Sequence, residues 1–173
     1  PAGALQFPVR CYREGLDLEQ LPSRRRALDV GCAVGRSTFE LGMIFDEAVG
    51  VDFSDAFIMA ARLLSREGRL PFPIQETGTI TREVVARKPQ SVSGQVRFEQ
   101  GDAQALRPDL GRFNCLLAAN LLCRLHRPLD FLRQVPALLE TGVQLIITTP
   151  NTWLESFTAR EFWLGATPET GEP

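Results

Sequence analysis

Residues 27–41 read ALDVGCAVGRSTFEL and set two glycines, Gly31 and Gly35, between an apolar strand-like run and a helix-like run over 37–45. A glycine turn of this kind lets backbone N–H groups approach a ligand with no Cβ in the way. The helix behind it offers unpaired N–H groups and a partial positive charge, a setting for a carboxylate or a phosphate. The spacing argues against two common nucleotide motifs. G-C-A-V-G lacks the close G-x-G pair of a dinucleotide turn, and Gly35 is followed by Arg36-Ser37 rather than the Lys-Ser/Thr of a phosphate loop.

Further polar residues follow at the ends of apolar runs. EAVGVDF (47–53) ends in Asp52, about 20 residues beyond the turn, where an acid can accept hydrogen bonds from ribose hydroxyls, and Phe53 can cover an adenine face. QVRFEQGDA (95–103) ends in Asp102-Ala103, where the carboxylate can take an adenine amino group and the next N–H can meet the ring. FNCLLAANLL (113–122) carries Asn120 near its end, and VQLIITT (143–149) is a fifth strand. Open α/β sheets bind ligands at the carboxyl ends of their strands. Asp29, Asp52, Asp102 and Asn120 all fall there, and the glycine turn suits the methionyl carboxylate of S-adenosylmethionine (SAM).

From Arg26 to Thr149 the chain resembles a class I SAM-dependent methyltransferase. GCAVGRSTFEL, AANLLCRL (118–125) and TPNTWLESFTAREFWLG (149–165) are similar to the mercaptohistidine N-methyltransferase family of ovothiol biosynthesis. The resemblance implies a Rossmann-like, doubly wound, mostly parallel sheet. It implies SAM as cofactor, met by Asp29, Gly31, Cys32, Ala33, Gly35, Asp52, Phe53, Asp102, Ala103 and Asn120. It implies methyl transfer to an imidazole ring nitrogen of a small histidine thiol derivative, positioned by Asn120, Arg124, Asn151 and Trp153. Arg124 is the candidate for the acceptor's carboxylate, or else an ordinary surface ion pair with Asp130. A fused or partner sulfoxide synthase domain is implied as well. Asn151 stands where the family is expected to carry an aromatic, which bears on the acceptor. A neutral imidazole already has a lone pair, so no strong base is required; His126, just before Arg127-Pro128, reads as a surface or capping residue. Another small acceptor, or a SAM-binding domain without catalysis, are the alternative readings.

The elements that must hold these residues fit one domain spanning 1–173: a lead-in (1–25), a core (26–149), a hairpin-like insertion (69–93) and an aromatic cap (150–165). The chain of 173 residues is 44% hydrophobic and 23% charged with a formal net charge of −2, so a general nucleic-acid binder is disfavoured. No apolar run is long enough for a membrane span. Cys11, Cys32, Cys115 and Cys123 show no C-x-x-C spacing beside a single histidine. That points away from a metal site and fits a reducing, cytoplasmic setting. Ser54 or Asp55 should cap a second helix with Phe57, Ile58, Ala61 and Leu64 inward, ended by Gly68. A further helix is expected over 130–139. The chain starts without Met and stops soon after the fifth strand. The expectation is therefore a sheet lacking the superfamily's final antiparallel hairpin, in a piece of a longer protein.

Overall fold

In the computed structural model, which describes residues 6–150 and 152–165, a five-stranded sheet carries the molecule. The strands are β1 (Arg26–Val30), β2 (Glu47–Asp52), β5 (Gln95–Gln100), β6 (Phe113–Ala119) and β7 (Leu139–Thr148). Their order is β5-β2-β1-β6-β7, and every neighbouring pair is parallel. Parallel strands with both faces covered read as continuous apolar runs. Accordingly β2 is buried from Ala48 to Val51 and β6 from Phe113 to Ala118.

Alternate residues divide the core between two faces. Leu28, Val30, Val49, Val51, Leu116 and Ala118 join Phe131, Val135 and Leu138 of helix α4 (Pro128–Leu138). Ala27, Ala48, Cys115 and Leu117 meet Val9 and Tyr12 of helix α1 (Phe7–Gly15) and Leu41 of helix α2 (Arg36–Leu41). Helix α3 (Asp55–Glu67) closes a third cluster through Ile58, Ala61 and Leu64 against Phe39 and Phe98. From β1 the chain winds outward to β2 and β5, then returns to add β6 and β7 on the other side. The direction reverses between β1 and β6, the crevice where a doubly wound sheet takes its ligand.

The local signals explain most boundaries and miss some. Ser54 caps α3 by accepting from Phe57 N–H at 3.3 Å, and left-handed Gly68 ends it. Phe57, expected inward, is instead 47% exposed. Helix α2 stops at Leu41 rather than running to Phe45. Beyond it Met43 and Ile44 bond back three residues, to Glu40 and Leu41. The tightening occurs where Gly42 passes β5 so closely that a Cβ would lie 2.5 Å from Val96. Helix α4 starts at Pro128, which suits a first turn, and β7 follows it directly at Leu139. The ladder with β6 slips between Phe113 and Cys115, with Gly142 left-handed at φ 75°. Residues 69–93 carry an antiparallel hairpin, β3 (Arg69–Thr77) and β4 (Ile80–Arg87), apart from the main sheet. Pro71 and Pro73 are tolerated because β3 has a free edge.

Helix α1 is anchored by a buried polar contact. Tyr12 Oη donates to Glu40 Oε2 at 2.9 Å, and Arg36 bonds the other carboxylate oxygen at 2.5 Å. Glu40 is nearly inaccessible, so each partner offsets a desolvation cost. Tyr12→Phe should destabilise the fold by about 1.5–3 kcal/mol in denaturant unfolding, as for a lost hydrogen bond to a charged group. An unchanged midpoint would mean that α1 docks through its apolar face alone.

Candidate active site

A cavity of about 410 Å³ opens at the carboxyl ends of β1, β2, β5 and β6, within the size range of small-ligand sites. Gly31, Asp52, Phe53, Asp102, Ala103 and Asn120 line it, together with Arg124. Residues far apart in sequence are brought together by the strand order. Two carboxylates, Asp52 and Asp102, stand on the β2–β5 side, whereas Arg124 and His126 follow β6 on the opposite side.

The glycine turn is built differently from the sequence expectation. Gly31, Ala33 and Gly35 all adopt positive φ, at 78°, 48° and 89°. At Gly35 the reason is a close approach, since a Cβ would lie 2.5 Å from the Phe98 ring. Gly31 faces Leu121, whose Cδ1 would be 3.0 Å from an added Cβ. The N–H groups of Gly31 and Cys32 donate to Val51 O at 2.8 and 3.1 Å, Ala33 N–H donates to Asp52 Oδ2 at 2.8 Å, and Gly35 N–H donates to Cys32 O at 2.9 Å. These four donors are already used within the chain. The turn brings the Gly31 backbone to the cavity wall.

Four residues expected at the cofactor lie behind that wall. Cys32 is buried with its thiol beside Gly50 and Phe98, and burial pushes the thiol far above its ordinary range, leaving it neutral. Ala33 and Gly35 shape the turn without lining the cavity. Asp29 is 2% exposed and accepts from Thr38 Oγ1 at 2.7 Å, tying β1 to α2. Desolvation raises its carboxyl from the usual 3.8 to about 7, with the Thr38 bond opposing and Asp52 adding to the rise.

Asp52 serves two backbone donors, Ala33 N–H through Oδ2 and Ser54 N–H through Oδ1 at 2.9 Å. Each carboxylate oxygen can accept a second bond, so ligand hydroxyls are still accommodated. Asp102 caps a short 3₁₀ turn over Ala103–Ala105, its Oδ1 accepting from Gln104 N–H at 2.8 Å. Phe53, 73% exposed, stands at the rim beside Phe57. Phe57 is a wall residue that its helical periodicity assigned to the core.

On the far side Asn120 is left-handed at φ 53°, a conformation asparagine tolerates. Its N–H donates to Thr148 O at 2.8 Å, and Thr148 Oγ1 lies 3.4 Å from its Oδ1. Arg124 does not pair with Asp130, whose partners are Arg127 and Arg133. Its guanidinium lies over the Phe157 ring, 4.5 Å from the centroid, and among the described residues no carboxylate pairs with it. His126 also lines the cavity. The aromatic cap is divided. Phe157 reaches this cavity, Trp153 packs on the core beside β6 and α4, and Phe162 and Trp163 line a separate cleft of about 160 Å³. Trp153 is thus a packing residue here and not a wall of the cavity; Asn151 lies outside the described residues. Gln104 was missed altogether, having no signal beyond its place two residues after Asp102. Among the described residues no cluster of His, Cys, Asp or Glu suits a metal ion, and no helix is long and apolar enough to cross a membrane.

A doubly wound parallel sheet, with acids at the carboxyl ends of β2 and β5 and a glycine turn after β1, is the arrangement of the class I methyltransferase fold. The sequence model of the methyltransferase domain family matches residues 8–171, and the chain belongs to that family. No curated protein matches the chain in sequence. Among solved structures, the [4+2]-cyclase SpnF aligns with a TM-score of 0.61 at 21% identity, over 86% of this chain and 45% of its own. The CcbJ methyltransferase of Streptomyces caelestis aligns at 0.58 and 22%, over 81% and 52%. The glycopeptide N-methyltransferase MtfA in complex with sinefungin aligns at 0.58 and 19%, over 82% and 53%. The chain spans about half the length of these structures.

The buried Asp29 makes stability depend on pH. Because its folded pKa of about 7 exceeds the unfolded 3.8, stability is full below about pH 4 and falls as pH rises through 7, by up to about 4 kcal/mol. Asp29→Asn keeps an acceptor for Thr38 and cannot ionise. Melting temperatures from pH 5 to 8.5 should fall for the wild-type chain relative to the variant. Parallel curves would show that Asp29 stays ionised.

Proposed function

We propose that this chain binds SAM and transfers its methyl group to a ring nitrogen of a small, carboxylate-bearing imidazole, of the mercaptohistidine type. The observation that carries the reading is the division of charge across one cavity at the switch point of the sheet. The residues fit the cofactor on grounds of chemistry and space. Gly31 leaves room where any Cβ would approach Leu121, Asp52 and Asp102 supply acceptors for hydroxyl and amino groups, and Phe53 and Phe57 supply flat apolar cover. Bound there, SAM would supply a sulfonium-activated methyl group, open to displacement by a lone pair on the acceptor.

The chain's own part is to position and to exclude water. Asp52 would hold the ribose hydroxyls and Asp102 the adenine amino group. Arg124, steadied on the face of Phe157, would grip the acceptor's carboxylate through a bidentate contact. Asn120, fixed by Thr148, would orient the acceptor amine or ring. A neutral imidazole brings its own lone pair, so no strong base is required of the wall. The N-methyl target and the sulfur-bearing ring rest on the likeness of 118–125 and 149–165 to the mercaptohistidine methyltransferases. The same likeness motivates a fused or partner sulfoxide synthase.

Calorimetric titration with S-adenosylhomocysteine, then 5-mercaptohistidine, tests both halves of the reading. Asp52→Ala should weaken the first ligand by about 1.5–3 kcal/mol. Arg124→Ala should leave the first ligand's affinity unchanged and weaken the second about tenfold or more, the loss of a charge-assisted pair. Binding of the first without the second in the wild-type chain would keep the cofactor and replace the acceptor.

A further inference from the structure

Gln104 lies on the cavity wall, and its side-chain amide links Asp102 on the acidic side to the backbone of Arg127, at the end of the segment that follows β6. Nε2 donates to Asp102 Oδ1 at 3.3 Å, and Oε1 accepts from Arg127 N–H at 2.7 Å. The two partners fix the orientation of the amide. A carboxylate only accepts and a backbone N–H only donates, so a flipped amide would oppose both. Arg127 is the residue before α4 and has no side-chain cap of its own. It closes the segment 120–127, which holds Asn120, Arg124 and His126. Gln134 of α4 braces the same region from behind, accepting from Leu106 N–H at 2.9 Å and donating to Ala103 O at 3.3 Å. The loop after β5 is therefore joined to the root of the loop after β6 by side-chain amides.

On the methyltransferase reading above, we propose that Gln104 is a positioning residue that couples cofactor binding at Asp102 to the placement of the acceptor-side loop 120–127. A ligand amino group bonded to Asp102 adds a second restraint on that carboxylate beside the Gln104 N–H bond. The amide of Gln104 is then held against it, and its oxygen against Arg127 N–H. The loop carrying Arg124 is thereby ordered before the acceptor arrives, which lowers the entropy cost of binding it.

Amide hydrogen exchange on the whole chain, with and without S-adenosylhomocysteine, reads this directly. In the wild type, the ligand should slow exchange both at 102–106 and at 120–127, the latter by about fivefold or more, the lower end of ordinary coupling. Gln104→Ala should keep the protection at 102–106 and lose it at 120–127. Gln104→Glu retains an acceptor for Arg127 but sets a carboxylate against Asp102, so it should hold 120–127 without any response to ligand. Ligand-dependent protection of 120–127 surviving in Gln104→Ala would overturn the coupling while sparing the cofactor reading. No protection anywhere in the wild type would overturn the cofactor reading and the coupling with it. A purely structural role for Gln104 would alter exchange equally in the free and bound protein, and that outcome also counts against the proposal.

Discussion

The bond from Ala33 N–H to Asp52 is the constraint on which the site depends. Between β1 and α2 the chain passes through three left-handed residues, one of them not glycine. Left-handed backbone costs an L-residue on the order of 1 kcal/mol, so the turn at Ala33 must be held by its surroundings. Asp52 holds it from the end of the neighbouring strand, and Ser54 N–H holds Asp52. The turn, the second strand end and the start of α3 are therefore one assembly. Loss of the carboxylate would loosen the wall as well as remove a ligand acceptor.

Beneath that assembly sits a second acid with a different task. Asp29 spans from β1 to Thr38 and reaches neither solvent nor the cavity. Two acids at neighbouring strand ends thus divide the work, with Asp52 on the cavity wall and Asp29 inside. Burial decides between them. Behind the wall, desolvation favours the neutral acid at Asp29.

The cavity's charge follows from topology. The chain lays β2 and β5 on one side of β1 and β6 and β7 on the other. Acids at the ends of the first pair therefore face basic residues after β6 across a single crevice. A ligand with donors at one end and an anionic partner beside it matches that division without further adjustment of the wall.

Much of this was legible in residue order. Apolar runs ending in Gly31, Asp52, Asp102 and Asn120 determined a parallel α/β sheet and the end at which a ligand binds, because buried parallel strands require continuous apolar stretches and their loops carry the polar groups. Ser54 and Gly68 marked α3 because caps are local chemistry. Tertiary structure alone decided which polar groups remain available. The N–H groups of Gly31, Cys32, Ala33 and Gly35 looked open in sequence and are used by Val51, Asp52 and Cys32. Phe57 had the spacing of a core residue yet lines the cavity, and Trp153, in the aromatic cap, packs on the core. Arg124 could have paired with Asp130, but Arg127 and Arg133 lie nearer. Gln104 gave no sign, because its partners lie 2 and 23 residues away and only the folded sheet brings them together. Periodicity and capping act within a few residues and can be read along the chain. The satisfaction of a hydrogen bond and the facing of a side chain depend on neighbours that the fold supplies.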